Sequence, residues 1–154
     1  MGSPLSAGNR EGGTMPQDPA DSARVNILVV DDEEAIRTFL LRFLTSSGYH
    51  VIAAETGEAA LRLSRELKEP IHLLLSNIQM PGITGIELSA QINRERPEIR
   101  VMLMSGFDAG MLILNDGWHF LAKPFVPSQL LGIITTLIAQ PPVPNFDEHR
   151  KPTT

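Results

Sequence analysis

The sequence predicts one α/β domain in which five parallel strands form a sheet that helices cover on both faces. Short apolar runs alternate with segments of helical periodicity between about residues 25 and 139. The strand candidates are almost continuously apolar, which is typical of strands that are buried on both faces. Strands that alternate with helices are joined by right-handed crossovers, and these place the strands parallel in one sheet.

The composition limits the class of protein. The 154 residues are 42% hydrophobic and 20% charged, which is ordinary for a soluble globular domain. A formal net charge of -5 predicts no attraction to nucleic acid or to an anionic membrane. The absence of cysteine excludes disulfides, thiolate metal sites and cysteine nucleophiles, and we expect a cytoplasmic protein. No run of about 18 apolar residues predicts a membrane span.

Both ends of the chain differ in composition from its centre. Residues 1–24 are rich in Gly, Pro, Ser and Asp and lack the apolar run of a signal peptide, so we expect a disordered leader, in which Met15 is an alternative start. Residues 140–154 are Pro-rich and polar, and we expect a flexible tail. These 15 residues are too few for an output domain, which predicts a stand-alone domain that does not bind DNA.

The first half of the domain contains two strand–helix pairs. The run "NILVV" (Asn26–Val30) is too short for a helix and predicts the first strand. The apolar residues that follow recur at helical spacing and predict a helix that ends near Gly48: Ile36, Phe39, Leu40, Phe43 and Leu44. "HVIAAE" predicts the second strand, and "GEAALRLSRELK" predicts a second helix that ends before Pro70.

The third strand, "IHLLLS", is followed by a helix with a start signal. Thr84 and Glu87 have the spacing of a capping box, in which each side chain accepts a hydrogen bond from the backbone of the other. This box predicts a third helix that continues to about Glu95. "RVMLMS" then predicts the fourth strand.

The last third of the domain carries weaker signals. "DAGMLILND" predicts only a short fourth helix, and "WHFLA" predicts the fifth strand. Pro127 suits the first turn of the last helix, "SQLLGIITTLIA", because its missing N–H would have no helical partner there.

Polar residues cluster at the carboxyl ends of the strands, where sheets of this kind bind ligands. They are Asp31, Asp32, Glu33, Asn77, Ser105, Lys123 and the adjacent Pro124. Two neighbouring carboxylates can hold Mg²⁺ through oxygen ligands, and the alternative is that one of them caps the first helix. Combined with a lysine and a hydroxyl from other strand ends, they predict a small site for an oxyanion and a metal.

Four stretches, in this order, resemble the receiver domain of two-component response regulators: "ILVVDDEEAIR", "LLLSNIQMPGITGIEL", "VMLMSG" and "FLAKPF". The resemblance covers roughly residues 26–139. It implies a doubly wound five-stranded sheet of flavodoxin-like order 2-1-3-4-5. It also implies a histidine kinase or a signalling target as protein partner, and phosphoryl transfer to an aspartate in the presence of Mg²⁺.

The same resemblance implies roles for individual residues. Asp32 would bind Mg²⁺ directly, Asp31 would assist through water, and the backbone carbonyl of Gln79 would be a further ligand. The position of the phosphoacceptor aspartate is occupied by Asn77.

The remaining roles belong to residues of the last two strand ends. Lys123 would pair with the phosphoryl oxygens and precede a cis peptide bond to Pro124. Ser105 would donate a hydrogen bond to the phosphoryl group, and Phe120 would be the aromatic switch residue.

Asn77 removes the nucleophile from this chemistry. An amide is neutral, and its nitrogen lone pair is delocalised, so Asn77 cannot form an acyl phosphate. Its neighbour Ser76 is no substitute, because adjacent side chains on a strand point to opposite faces. Loss of one negative charge weakens Mg²⁺ binding by up to about 8 kcal/mol at about 4 Å, so we expect weak binding or none.

The leading interpretation is a receiver-like signalling domain that is not an enzyme, is not phosphorylated and acts through protein contacts. One alternative is an ordinary Mg²⁺-dependent phosphoacceptor receiver seen as an Asp-to-Asn variant. Another is a metal-assisted phosphatase or phosphotransferase on the same fold, although it lacks a convincing nucleophile.

The interval from Ser105 to Lys123 is 18 residues and is short for a receiver by about one helical turn. We therefore expect a stunted fourth helix, with Trp118 and Met111 either partly exposed or closing the core.

His72 begins the third strand and is interpreted as a surface residue. His119, which alternates with Phe120, is also expected to be exposed.

Overall fold

A computed structural model describes residues 24–106 and 117–139. Its strands are β1 (Asn26–Val30), β2 (His50–Ala54), β3 (Leu73–Asn77), β4 (Arg100–Ser105) and β5 (His119–Ala122). Its helices are α1 (Glu34–Ser46), α2 (Gly57–Glu66), α3 (Gly85–Glu95) and α4 (Pro127–Ala139). The predicted leader (apart from Arg24), short fourth helix, Met111 and tail lie outside the described residues. Within those residues, no helix is long and apolar enough to cross a membrane.

The five described strands form one parallel sheet of order β2-β1-β3-β4-β5, which confirms the predicted fold class. The register aligns the carboxyl ends of the strands. Val30, at the end of β1, pairs with Ala54 of β2 and Ser76 of β3, and Ser105 of β4 pairs with Ala122 of β5. Residues that follow these strand ends are therefore brought to one edge of the sheet.

Side chains that alternate along the strands build a core on each face of the sheet. Leu28, Val30 and Leu74 pack with residues of α2 and α3 on one face. Ile27 and Val29 pack with residues of α1 and α4 on the other face. Because every residue of β1 and β3 is buried, the apolar runs in the sequence are nearly continuous.

Local signals place the helices as predicted. Thr84 Oγ1 accepts from the Glu87 N–H at 3.1 Å and Glu87 Oε1 accepts from the Thr84 N–H at 3.0 Å, so the capping box of α3 is present. α1 ends at Ser46, and Gly48 follows with φ at +103°, a left-handed conformation that glycine adopts without strain. The other boundaries differ from the prediction by one or two residues, as is usual at fraying ends.

His72, which was interpreted as a surface residue, is only partly exposed. His72 is half-buried at the amino end of the sheet, and its Nδ1 accepts a hydrogen bond from the Asn26 N–H at 3.0 Å. The Asn26 side chain donates to the Pro70 carbonyl at 2.7 Å and contacts His50 Nδ1 at 2.9 Å. Burial lowers the pKa of His72, and the positive charge of Arg100 lowers it further. His119 is exposed, as expected.

The hydrogen bond to His72 predicts a loss of stability in mild acid. Because the pKa of folded His72 lies below its unfolded value of 6.5, its contribution is complete above about pH 6.5 and is lost as the pH falls toward the folded pKa. His72→Asn keeps an acceptor near the position of Nδ1 but does not titrate. Urea unfolding between about pH 7.5 and pH 5 should show that the stability advantage of the wild type over His72→Asn shrinks with acidification. Parallel pH dependences would contradict this assignment.

Candidate functional site

The carboxyl edge of the sheet brings together residues from distant parts of the chain. Asp31 follows β1, Asn77 ends β3 and Lys123 follows β5. Lys123 Nζ lies 3.1 Å from Asp31 Oδ2 across 92 residues of sequence. The Asn77 side chain reaches Asp32 across 45 residues.

Asp31 is a fully buried carboxylate with a partner on each oxygen. Its Oδ1 accepts from the Glu33 N–H at 2.9 Å, and its Oδ2 accepts from Lys123 Nζ at 3.1 Å. Lys123 also lies 3.5 Å from Glu33 Oε1. A buried carboxylate needs such partners, because desolvation without compensation is strongly unfavourable.

Asp31 also contacts the backbone at the start of the first helix. Glu33 is the N-cap residue of α1, and its side chain makes no capping hydrogen bond. The Glu33 N–H itself donates a hydrogen bond to Asp31 Oδ1. Arg37, one turn into α1, donates to the Asp31 carbonyl at 2.8 Å. Sequence reasoning assigned no role to Glu33 or Arg37, because neither contact follows from a periodic pattern. Asp32 is exposed and points a carboxylate oxygen at Asn77.

Asn77 is buried, with 8% of its surface exposed, and its amide nitrogen is bound twice. Nδ2 donates to the Gln79 carbonyl at 2.7 Å and to Asp32 Oδ1 at 3.3 Å. A carbonyl and a carboxylate can only accept, so the nitrogen and not the oxygen of the amide must face them. The amide therefore bridges two of the three groups that the resemblance assigns to the metal site.

The loop after β3 is held close to Asn77 by its glycines. The Gly85 N–H donates to the Ile78 carbonyl at 2.8 Å, and a Cβ on Gly85 would lie 2.1 Å from the Asn77 carbonyl oxygen. Only glycine fits that approach. Gly82 has φ at +78° and turns the chain back toward the sheet. The loop in turn places the Gln79 carbonyl beside the Asn77 side chain.

The other predicted site residues lie at or near the same edge. Ser105 is buried at the end of β4, and the peptide bond between Lys123 and Pro124 is cis. Ser76 is fully buried and donates its hydroxyl to the Asn77 carbonyl at 2.9 Å, so it faces away from the site chemistry. Phe120 is half-buried and packs against the core formed with α2 and α3.

Trp118 helps to close the core on that face of the sheet. It is half-buried, packs against the same cluster as Phe120, and its Nε1 donates to Asn93 Oδ1 at 3.3 Å. Of the two interpretations considered for Trp118, closure of the core fits these contacts.

The side chains at this edge do not form a ready metal site. In residues 24–106 and 117–139, no three His, Cys, Asp or Glu side chains are grouped so that they could hold a metal ion. Asp32 Oδ1 and the Gln79 carbonyl accept hydrogen bonds from the Asn77 amide. The two oxygens of Asp31 accept from Lys123 and from the Glu33 N–H. As arranged, the donors of this chain do not fit Mg²⁺.

Comparisons with known proteins agree with this geometry. The sequence profile of the response regulator receiver domain matches residues 27–135. The chain is 37% identical over 116 residues to the response regulator receiver protein CpdR of Brucella abortus, with 73% of this chain and 95% of CpdR covered. It is 31% identical over 121 residues to the sensor kinase CckA of the same organism, with 76% of this chain covered.

The coverage of these relatives differs widely. The chain spans only 13% of the length of CckA. It is 43% identical over 81 residues to response regulator RR06 of Streptococcus pneumoniae, which is 53% of this chain and 36% of RR06.

Solved structures are similar over the same region. The receiver domain from the hybrid histidine kinase CckA is 34% identical, with a TM-score of 0.66 and with 73% of this chain and 98% of that chain covered. The response regulator TrrA of Thermotoga maritima, in complex with Mg²⁺-BeF, is 30% identical, with a TM-score of 0.65 over 73% of this chain and 98% of that one.

The Asp31–Lys123 pair predicts a strong mutational effect. Lys123→Met keeps most of the aliphatic volume but leaves Asp31 buried without its cation, so we expect a loss of about 3–5 kcal/mol in the free energy of unfolding. The double variant Asp31→Asn with Lys123→Met removes both charges and should recover a large part of that loss. Chemical unfolding of the wild type and the two variants measures the difference. Equal destabilisation of single and double variants would show that the charge pair is not the cause.

Proposed function

Because the chain belongs to the response regulator receiver domain family, we propose that it works as a receiver-like signalling module that is not phosphorylated and that acts through contacts with partner proteins. The observation that carries this proposal is Asn77. It stands at the carboxyl end of β3, where the family resemblance places the acceptor aspartate, and its amide nitrogen is bound to Asp32 and Gln79.

The chemistry of the amide supports the absence of phosphoryl transfer. An ionised carboxylate has lone pairs free to attack phosphorus, whereas the amide of Asn77 is neutral and conjugated. The hydroxyl of the adjacent residue, Ser76, is fully buried and donates a hydrogen bond to the Asn77 carbonyl. Weak or absent Mg²⁺ binding belongs to the same proposal, because the oxygen atoms that would bind the cation already have donors.

The proposed partner is a protein of a two-component pathway, such as a histidine kinase or a signalling target. CckA, a relative that covers 76% of this chain, is a sensor kinase, and CpdR is a receiver protein that the chain covers almost completely. A net charge of -5 argues against nucleic acid or an anionic membrane as the partner. We assign no enzymatic activity. A cytoplasmic location is also part of the proposal and rests on the cysteine-free composition, which suits a reducing compartment.

A second candidate is favoured by the residues that remain around Asn77. Asp31, Asp32 and Lys123 are gathered at the edge, and the peptide bond to Pro124 is cis. This arrangement is what a phosphoacceptor receiver would keep if a single Asp-to-Asn change had removed its acceptor. The third interpretation, a metal-assisted phosphatase, finds no support in the site, because no metal-binding group of three His, Cys, Asp or Glu side chains is present among the described residues.

The wild-type chain should not accept a phosphoryl group. Incubation with acetyl phosphate or phosphoramidate and Mg²⁺, followed by intact mass measurement, should leave the mass unchanged, because Asn77 offers no nucleophile. A control receiver with an intact aspartate, treated in parallel, shows that the donor is active. A gain of one phosphoryl mass on the wild type, mapped to this site, would contradict the proposal.

Asn77→Asp separates the two candidates. The change restores a nucleophile and one charge at nearly constant volume, so a receiver inactivated at this single position should gain one phosphoryl mass in the same assay. The matched control is Asn77→Asp combined with Asp32→Asn. Asp32 is exposed, so the control should fold while losing a charged metal ligand and the modification with it. If folded Asn77→Asp takes no phosphoryl group, the second candidate fails and the binding module remains.

A further inference from the structure

One side-chain nitrogen faces two of the groups assigned as metal ligands. Asn77 Nδ2 lies 2.7 Å from the Gln79 carbonyl oxygen and 3.3 Å from Asp32 Oδ1. Two acceptors that converge on one point repel each other unless a cation or a hydrogen-bond donor lies between them. The amide nitrogen carries two hydrogens, which is one for each of the two acceptors.

The third assigned ligand, Asp31, also accepts hydrogen bonds from the chain. Asp31 is fully buried, with the Glu33 N–H on one oxygen and Lys123 Nζ on the other. Each of the three assigned ligand groups therefore has at least one oxygen atom that already accepts a hydrogen bond from the chain itself. A divalent ion would have to shed part of its hydration shell and displace these donors as well.

We propose that the Asn77 amide is an internal substitute for the metal ion. Its hydrogen bonds to Asp32 and to the Gln79 carbonyl, here called the amide bridge, tie the end of β1 to the loop after β3 without a cation. The inference deepens the proposed function, on which it rests for the meaning of the site. It goes beyond the loss of a ligand, because the amide competes with a cation for the same two oxygen atoms.

A cation cannot use Asn77 as a ligand while the amide bridge exists. The amide would have to rotate by about half a turn to direct its oxygen to the ion, and both hydrogen bonds would break. One of these bonds goes to a charged acceptor, and such bonds are stronger than neutral ones. The bridge thus opposes metal binding and fixes the loop in one arrangement.

This mechanism and simple ligand loss differ in what they predict for Asn77→Ala. If Asn77 only lacks a charge, its removal leaves Mg²⁺ affinity unchanged or lower, since an amide oxygen is lost as well. If the amide bridge competes with the cation, removal frees Asp32 and the Gln79 carbonyl, and water fills the gap. Mg²⁺ should then bind Asn77→Ala about fivefold more tightly than the wild type, or better, since a net hydrogen bond is worth about 1 kcal/mol.

The test is a Mg²⁺ titration of the full chain by calorimetry, in the wild type, Asn77→Ala and Asn77→Asp. The expected order of affinity is Asn77→Asp, then Asn77→Ala, then wild type. Asp32→Asn in each background is the control, and it should abolish the gain. An Asn77→Ala protein that binds Mg²⁺ no better than the wild type overturns the inference.

A second measurement keeps the inference testable if Asn77→Ala does not fold. In nitrogen-15 spectra of the wild type, the side-chain amide pair of Asn77 should stay in place as Mg²⁺ is added to millimolar concentrations. If Mg²⁺ shifts these two signals in the wild type but not in Asp32→Asn, the cation replaces the amide at Asp32. That result would overturn the inference. Neither readout involves phosphorylation, so failure here leaves the proposed role as an unphosphorylated signalling module intact, whereas phosphorylation of the wild type would refute that role alone.

Discussion

Burial of the two central strands on both faces is the constraint on which this structure depends. Every residue of β1 and β3 is buried, so polar side chains that must meet water or each other can emerge only where the strands end. The parallel register then brings those ends to one edge. A single site with contributions from several strands is a consequence of how the core is covered.

Within that site, donors and acceptors are matched without an ion. Asp31, which has no exposed surface, is held by Lys123 and by a backbone N–H, and Asp32 and Gln79 are held by Asn77. A low-dielectric environment makes an unmatched charge costly, so this pairing stabilises an arrangement that otherwise carries excess negative charge. In the proposed mechanism, the same pairing opposes the binding of a cation.

The fold tolerates the loss of the acceptor because asparagine and aspartate have nearly the same shape. The features that position residue 77 are packing features: the close approach of Gly85 to its carbonyl, the turn at Gly82 and the capping box of α3. None of these features depends on whether residue 77 carries a charge. Replacement of one side-chain oxygen by nitrogen can therefore change the chemistry of the site while the fold and its surfaces stay the same.

Elements with local causes could be predicted from the amino-acid sequence alone. The run Asn26–Val30 is too short and too apolar for anything but a buried strand, and the Thr84–Glu87 capping box acts within one helical turn. The family motifs also located the edge residues, because each follows its strand directly.

The pairing of side chains across the site, in contrast, follows from the tertiary structure. Lys123 pairs with Asp31, 92 residues away, and has Glu33 as a second neighbour. The Asn77 side-chain nitrogen faces Asp32. The tertiary structure also brings the half-buried His72 within hydrogen-bond distance of the Asn26 N–H, a contact that strand position alone did not predict. These outcomes depend on distances and orientations across the folded chain, and no periodicity or spacing in the sequence records the direction in which an amide or an imidazole ring points.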